Sequence, residues 1–278
     1  MFRIVFWGVR GSIPTPGPAT MQVGGNTACV EVRCGEELLI LDGGTGLRLL
    51  GNQLGPHRPL KANLFFSHVH WDHIQGFPFF APAFVAGNDI ELYGATNVTG
   101  TLEETLAGQM NFPNFPVRLE FMGAQMSFHD IDDGQVIHLG NEGVVVRAAK
   151  LRHPQGVLAY RVEYAGHSMV YATDTEHGSK LDQKLVSLAR DVDVLIYDAQ
   201  YTPEEYEGFN GGLPRVGWGH STMMEGVRIA QAAGAKRLVL FHHDPDQNDE
   251  AVRQKEQRAQ KVFPATDAAR EGMTIDLM

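Results

Sequence analysis

The chain has 278 residues, of which 43% are hydrophobic and 20% charged, and its formal net charge is −10. These values are typical of an ordinary globular protein, and no stretch approaches the roughly 20 apolar residues that a membrane span needs. No run of Lys or Arg exceeds two residues, whereas binding a long nucleic acid normally requires a basic stripe, so we expect a small substrate, no long nucleic acid and no membrane partner.

The N-terminal segment, residues 1–8, is too short and wrongly flanked for a signal peptide, so it reads as a first strand. We therefore expect cytoplasmic residence. The two cysteines, Cys29 and Cys34, lie in one predicted strand and its turn. A disulfide there would need unusual backbone geometry, so we predict that both are reduced and structural.

Strand and helix patterns continue along the chain without a repeat or a linker. Runs rich in Val, Ile, Leu and aromatic residues predict strands near 2–7, 28–33, 37–42, 63–67, 89–93, 136–139, 144–150, 157–164, 168–173, 193–198 and 237–242. Helical patterns occur near 45–54, 98–109, 180–190, 222–233 and 249–262. The order predicts sheets packed together with helices outside, in a single domain over residues 1–278.

Two segments rich in Gly, Pro and Asn, 109–117 and 206–219, read as loops. Long ordered loops in a compact domain often serve as lids or binding elements. The candidate substrate contacts on these loops are Phe112, Phe115, Arg215 and Trp218. The alternative, that the aromatic rings cover the core and the arginine is solvated, stays open.

A cluster of metal-competent side chains directly follows the predicted strand 63–67. It consists of His68, His70, Asp72 and His73. Neutral imidazoles and carboxylates bind zinc and similar divalent ions, and burying them together costs desolvation unless positive charge compensates. Four ligands from one loop exceed what one metal needs when part of its site comes from elsewhere, so we expect two metal ions.

Three more candidate ligands, His153, Asp174 and His242, follow predicted strands. Loops at one end of a sheet are where convergent sites are commonly built. A single histidine in such a place is more often structural, but three such residues combined with the cluster favour a metal centre. His243 is adjacent to His242, and only one of the two can point into the site from a strand end. The register of the preceding strand favours His242.

This set of residues resembles the metallo-β-lactamase superfamily over most of the chain. The resemblance implies an α/β (α+β) fold, a four-layer αββα sandwich. It implies that one metal is held by His68, His70 and His153. It implies that the other metal is held by Asp72, His73 and His242, and that Asp174 bridges the two. Asp42 matches an early Asp-Gly turn of the superfamily and is implied to orient a ligand. Zinc is the expected metal, with manganese or iron as alternatives.

Two further residues are similar to the ribonuclease Z and small-phosphodiesterase branch. His220 lies in the run Gly-His-Ser-Thr, and Asp198 ends a predicted strand. The resemblance implies that His220 faces the phosphate and that Asp198 orients it. An acid beside a histidine can indeed fix its tautomer and raise its pKa. The alternative is that His220 only helps to cap a helix and Asp198 only ends a strand.

Two departures from ribonuclease Z affect the expected substrate. Ribonuclease Z typically carries Glu where this chain has Asp198, and it grips transfer RNA with a protruding basic arm for which this sequence has no insertion. Together with the acidic net charge, this argues against a transfer-RNA substrate. The related cyclic phosphodiesterases fit better, and relatives suggest a homodimer.

We therefore expect a dinuclear metal-dependent phosphodiesterase acting on a small anionic substrate, a cyclic nucleotide or a cyclic sugar phosphodiester. Metal coordination would lower the pKa of a bridging water, and the resulting hydroxide would attack phosphorus. Asp72 and Asp198 would act in catalysis with His220, which donates a hydrogen bond or proton. The alternatives are a lactonase, thioester or β-lactam hydrolase on the same scaffold, or a metal-binding sensor without catalysis.

Overall fold

Two mixed β-sheets form the centre of the fold, and seven α-helices are present in the part of the chain that the structure describes. The structure is a computed structural model and describes residues 1–55, 59–95, 100–141, 143–209 and 212–278. Its strands are β1 (Phe2–Gly8), β2 (Cys29–Cys34), β3 (Glu37–Leu41), β4 (Lys61–Phe65), β5 (Asp89–Ala95), β6 (Gln125–Ile131), β7 (Val136–Leu139), β8 (Val144–Leu151), β9 (Val157–Tyr164), β10 (His167–Ala172), β11 (Val194–Asp198), β12 (Leu238–Phe241), β13 (Thr266–Ala268) and β14 (Thr274–Asp276). Its helices are α1 (Gly46–Leu54), α2 (Trp71–Ile74), α3 (Leu102–Gln109), α4 (Gln183–Leu188), α5 (Pro203–Glu207), α6 (Met223–Ala233) and α7 (Asp249–Gln260).

Each sheet has seven strands, and each contains a parallel half. The orders are β14-β1-β2-β3-β4-β5-β6 and β13-β12-β11-β10-β9-β8-β7. Strands β3 to β6 are parallel neighbours in the first sheet, as are β10 to β13 in the second. Parallel strands end at the same edge of a sheet, so the loops that follow them can meet in one place.

Three apolar clusters confirm the four-layer αββα sandwich. The first lies between the sheets and takes side chains from both, for example Phe6 and Phe65 of one and Tyr171 and Phe241 of the other. The second covers the outer face of the first sheet with α1 and α3, and the third covers the second sheet with α4, α6 and α7. The helix carrying the predicted capping signal, α6, begins after Thr222, whose side chain accepts a hydrogen bond from the Glu225 amide.

Most predicted elements are present, and the missed ones are short or partly exposed. Strand β6 is a sheet edge with an irregular burial pattern, so it lacks the alternation that identifies a strand. Strands β13 and β14 have three residues each, and α2 and α5 have four and five, too few to show a period. Residues 98 and 99 of the helix predicted near 98–109 lie outside the described residues, and the helix found there is α3.

Both cysteines are buried in β2 and unpaired, which confirms the prediction that they are reduced and structural. In the described ranges, no helix combines the length and apolar character needed to cross a membrane.

Candidate metal centre

The candidate ligands converge because they follow strand ends at one edge of the two sheets. His68 to His73 come after β4, His153 after β8, Asp174 after β10 and His242 after β12. Asp174 and His242 have φ angles of 50° and 58°. This left-handed conformation is strained for residues other than glycine, and such strain is concentrated at functional sites.

The first ligand group consists of His68, His70 and His153. Nδ1 of His70 lies 2.9 Å from Nε2 of His68 and 3.1 Å from Nε2 of His153. Three ring nitrogens therefore face one point. Burial lowers the pKa of His68 and of His153, which favours the neutral imidazole, the form whose lone pair can bind a metal.

The second ligand group consists of Asp72, His73, Asp174 and His242, and all four are buried. Oδ1 of Asp174 lies 3.2 Å from Nε2 of His73 and 3.1 Å from Nε2 of His242. Oδ2 of Asp72 lies 3.3 Å and 3.1 Å from the same two nitrogens. Two carboxylates and two imidazoles thus point at a common centre.

Asp174 also reaches the first ligand group. Its Oδ2 lies 3.6 Å from Nε2 of His68 and 3.9 Å from Nε2 of His153. One carboxylate oxygen therefore faces each group, which is the geometry of a bridging ligand.

The charge and the unpaired nitrogen of the second ligand group fit a bound cation. Burial opposes ionisation of Asp72 and Asp174, yet the neighbouring histidines hold the pKa of both carboxyls well below the usual range. Burial likewise opposes charge on His73, but Asp174, Asp72 and Asp42 raise its pKa well above the usual range. Among the residues that the structure describes, none forms a hydrogen bond with the buried Nε2 of His73. The pocket stabilises positive charge, and its donors are those of zinc and related ions.

Asp42 binds the ring nitrogen of His73 that faces away from the other candidate ligands, as the sequence predicts. Its Oδ2 accepts from Nδ1 of His73 at 2.8 Å and from the Tyr171 hydroxyl at 2.7 Å. Both oxygens also accept from Ser67, one from its amide and one from its hydroxyl. Such a contact fixes the tautomer in which Nε2 is free to bind a metal.

Two glutamines orient other ligands, and sequence reasoning missed both. Nε2 of His70 donates to Oε1 of Gln155 at 2.9 Å, and Nδ1 of His242 donates to Oε1 of Gln200 at 3.0 Å. Gln155 stands two residues after a ligand and Gln200 two residues after Asp198. That proximity in sequence was the only signal available.

Loop 206–219 is attached to the first ligand group through its last glycine. Nδ1 of His153 donates to the Gly219 carbonyl at 2.7 Å. The buried Glu176 carboxylate accepts from the amides of Gly217 and Gly219 and from the Tyr206 hydroxyl. The loop is therefore fixed to the site at its carboxyl end.

His220 and Asp198 form a buried pair beside the second ligand group. Nδ1 of His220 donates to Oδ2 of Asp198 at 3.0 Å, and the His220 ring stacks on His242 at 5.0 Å between centroids. Burial lowers the pKa of His220, but the charge and hydrogen bond of Asp198 outweigh burial and raise this pKa to about 9. The protonated form of His220 is therefore favoured, and the ring lies next to the candidate metal ligands.

The structure brings two of the four candidate substrate contacts toward this pair. The Arg215 guanidinium carbon lies 4.4 Å from the centroid of the Trp218 ring and 5.8 Å from that of Tyr201. The Tyr201 ring in turn is 6.1 Å from that of His220. Trp218 is 50% exposed, so half of its surface is accessible.

The other two candidates, Phe112 and Phe115, are not brought to the ligand groups. Phe112 is 85% exposed, and Phe115 packs against Phe79 with ring centroids 5.6 Å apart. In the described part of the chain, neither ring has a ring contact with a candidate ligand. The structure therefore favours the reading in which Phe115 covers the core.

His243 points away from the site, unlike His242. Its Nε2 donates to the Ala269 carbonyl at 3.1 Å, and its ring is fully buried. Of the two adjacent histidines, the structure places only His242 in a ligand group.

Comparisons with known proteins identify relatives along most of the chain. A family model described as "Beta-lactamase superfamily domain" matches residues 40–243. A ribonuclease BN of Cronobacter sakazakii is 25% identical over 76% of this chain and 80% of its own length. A ribonuclease Z of Prochlorococcus marinus is 22% identical over 99% of both chains.

Solved structures with the same fold align over nearly the full length. A metallo-beta-lactamase fold protein, YhfI of Bacillus subtilis, has a TM-score of 0.72 and 19% identity over 99% of this chain and 98% of its own. The short form of human tRNase Z has a TM-score of 0.68 and 21% identity over 99% of both chains. A diphosphatase of the PhnP family has a TM-score of 0.68 and 20% identity over 99% of this chain and 96% of its own.

These comparisons correct one prediction. The acidic net charge and the missing basic stripe led to the expectation of no long nucleic acid partner, and that expectation is wrong. A protein named ribonuclease Z matches this chain in sequence over 99% of its length, and one named tRNase Z has the same fold. The physical reason is that net charge averages over the whole surface, whereas a nucleic acid responds to the local field at a site.

Proposed function

The chain belongs to the beta-lactamase superfamily and is a hydrolase of that superfamily, and from this premise we propose that it is a dinuclear metal-dependent phosphodiesterase. The proposed substrate is a small phosphodiester, a cyclic nucleotide or a cyclic sugar phosphate. The observation that carries the proposal is the His220–Asp198 pair, which lies beside the second ligand group with its carboxylate fully buried.

The proposed metals are two divalent ions, zinc first, with manganese or iron as alternatives. The first ligand group would hold one ion, the second the other, and Asp174 would contact both. When bound, the ions supply a shared water of lowered pKa and positive charge near the phosphoryl oxygens. The unpaired Nε2 of His73 and the ionised Asp72 and Asp174 support this assignment.

The protein's own groups would position and protonate the substrate. Asp198 accepts from Nδ1 of His220, which leaves Nε2 of His220 as the nitrogen that can reach a phosphoryl or leaving oxygen. A donor held in place before the reaction stabilises charge as it develops, because no reorganisation is needed. The exposed Trp218 ring, backed by Arg215, offers a face on which a base or ribose can lie.

The substrate test is a panel of diesters and competitors. The panel comprises bis(p-nitrophenyl) phosphate, cyclic nucleotides, cyclic sugar phosphates, a transfer-RNA precursor, a lactone, a thioester and a β-lactam. We expect turnover of the small diesters, and His220→Ala and Asp198→Asn should each lower kcat about 10²- to 10⁴-fold with unchanged metal content. Turnover of the lactone, the thioester or the β-lactam without turnover of any diester would overturn the proposal. Preferred cleavage of the transfer-RNA precursor would overturn the part of the proposal that makes the substrate small.

A sensor without catalysis is distinguished by the same preparation. Elemental analysis of the purified chain should give about two metal ions per chain. Less than one ion per chain, with no effect of His70→Ala on any activity, would point to the sensor instead.

A further inference from the structure

A buried lysine lies behind the turn that follows β11. Lys255, in α7, is 1% exposed. Its Nζ donates to the Ala199 carbonyl at 2.5 Å and to Oε1 of Gln247 at 2.7 Å, and it lies 3.4 Å from the Gln200 carbonyl. In the described ranges no carboxylate forms an ion pair with it. Lysine is almost never fully buried without such a partner, and burial lowers the pKa of Lys255 to about 7.

The turn held by Lys255 is braced on two other sides. Nε2 of Gln247 donates to the Gln200 carbonyl at 3.1 Å. Oδ1 of Asp198 accepts from the Gln200 amide at 3.0 Å. The backbone of residues 199 and 200 thus has polar contacts on several sides, and Lys255 contributes to both carbonyls.

The side chain that this turn presents is the partner of a candidate metal ligand. Oε1 of Gln200 accepts from Nδ1 of His242, while Nε2 of Gln200 donates to the Tyr201 hydroxyl at 3.0 Å. The second contact is compatible with this orientation of the amide, because the Tyr201 hydroxyl can accept a hydrogen bond. Donation from Nδ1 of His242 to Gln200 leaves Nε2, which lies 3.1 Å from both Asp72 and Asp174, as the nitrogen whose lone pair would be available to a bound metal.

His242 is also enclosed on its other side. Its φ of 58° is left-handed, and a Cβ added at Gly11 would collide with its ring. The ring therefore has little room, and the Gln200 amide provides the hydrogen-bond acceptor for its Nδ1 in that space.

We propose that Lys255 and Gln200 form a positioning relay for the second ligand group. The Lys255 amino group fixes the turn at residues 199 and 200, and the Gln200 amide sets the tautomer and orientation of His242. The relay rests on the two-metal site proposed above, and it assigns a role to two residues that would touch neither metal nor substrate.

The test measures zinc affinity in a chain that keeps only the second ion. His70→Ala removes a ligand of the first group, so one ion per chain should remain. Adding Gln200→Leu should lower the affinity for that ion about 10- to 100-fold, the usual effect when a metal ligand loses its hydrogen-bond partner. Competition with a zinc chelator measures this affinity. Adding Lys255→Met instead should also lower the zinc affinity. Gln200→Glu keeps an oxygen acceptor and should retain the affinity.

The matched control is Val252→Ala, also on α7 and fully buried. It destabilises the fold by truncating a core side chain but leaves the contacts of Lys255 in place, so zinc affinity should not change. Unaltered zinc affinity in both Gln200→Leu and Lys255→Met would overturn the relay, provided the unmutated chain binds two ions. An unmutated chain that binds no zinc would instead overturn the proposed metal site itself.

Discussion

The two ligand groups differ in charge, burial and anchoring. The first consists of histidines that are not all buried, and is oriented by Gln155 and the Gly219 carbonyl, which belong to loops. The second adds two carboxylates, is buried throughout, and is oriented by Asp42 and Gln200 from the ends of central strands. Carboxylates in a buried site attract a divalent ion more strongly than neutral imidazoles do. We therefore expect the second group to bind its ion more tightly and the first to exchange its ion more readily.

The largest effect should come from the residue that both groups share. Asp174→Asn removes the negative charge between them, so both ions should bind more weakly and kcat should fall by about 10³-fold or more, equivalent to several kcal/mol. Metal content and kcat are measured on the same preparation. Asp276→Asn, at an exposed carboxylate, is the control and should change neither. Loss of only one ion in Asp174→Asn would show that this carboxylate does not bridge.

Removing one histidine from each group should separate their contributions to stability. His73→Ala leaves the buried carboxylate of Asp42 without its imidazole partner and removes one of the two imidazoles that both Asp72 and Asp174 contact. A buried charge that loses its partner costs about 3–5 kcal/mol. His70→Ala removes a half-buried ring from the neutral group and should cost about 1 kcal/mol or less. Urea unfolding with excess zinc measures both. Equal destabilisation would remove the distinction between the groups.

The candidate ligands could be predicted from the sequence because each comes shortly after a predicted strand. His68, one residue after Leu-Phe-Phe, and His242, directly after Leu-Val-Leu-Phe, are visible without a structure. The anchoring residues could not be predicted in this way, because Gln155 and Gln200 are common polar residues whose role depends on which ring they face. Lys255 was hidden for a related reason: in a charged helix such as α7, a lysine is normally exposed.

The same limit explains the strands that the sequence missed and the different surroundings of the two loop phenylalanines. Strand β6 is stabilised by pairing with β5, a tertiary contact that local pattern does not encode. Phe112 and Phe115 occupy one loop, yet one is exposed and the other packs on Phe79. Composition identified the loop, but the direction of each ring depends on its neighbours in space.

Anchoring of the first group can be weakened without touching a ligand. Gln155→Leu removes the acceptor from Nε2 of His70, so the zinc affinity of the first ion should fall about 10- to 100-fold while the second ion is retained. Chelator titration followed by elemental analysis should then show one tightly bound ion per chain. Gln155→Glu preserves an acceptor and should bind two. If Gln155→Leu lost both ions together, the two groups would be coupled rather than separate.

The smallest expected effect is the contribution of Lys255, which lies behind the second ligand group, to the pH dependence of the free energy of unfolding. Burial is the largest influence on the pKa of Lys255 and lowers it to about 7 in the folded chain. The neighbouring carboxylates raise this pKa and Arg10 lowers it; the carboxylates are those of Glu205, Asp244 and Asp198. In the unfolded chain it is near 10.5. Between these values the unfolded chain holds a proton that the folded chain has released, so the free energy of unfolding rises with pH, by at most about 1.4 kcal/mol per pH unit.

Comparison with Lys255→Met isolates this contribution, because other titrating groups largely cancel in the difference. The free energy of unfolding of the unmutated chain, minus that of Lys255→Met, should increase from pH 7 to pH 9 and change little from pH 5 to pH 6, where Lys255 is protonated in both states. Urea unfolding at each pH provides the measurement. A difference that stays constant from pH 5 to pH 9 would mean that Lys255 keeps its proton when folded, and the turn at residues 199 and 200 would then be held by a permanent charge.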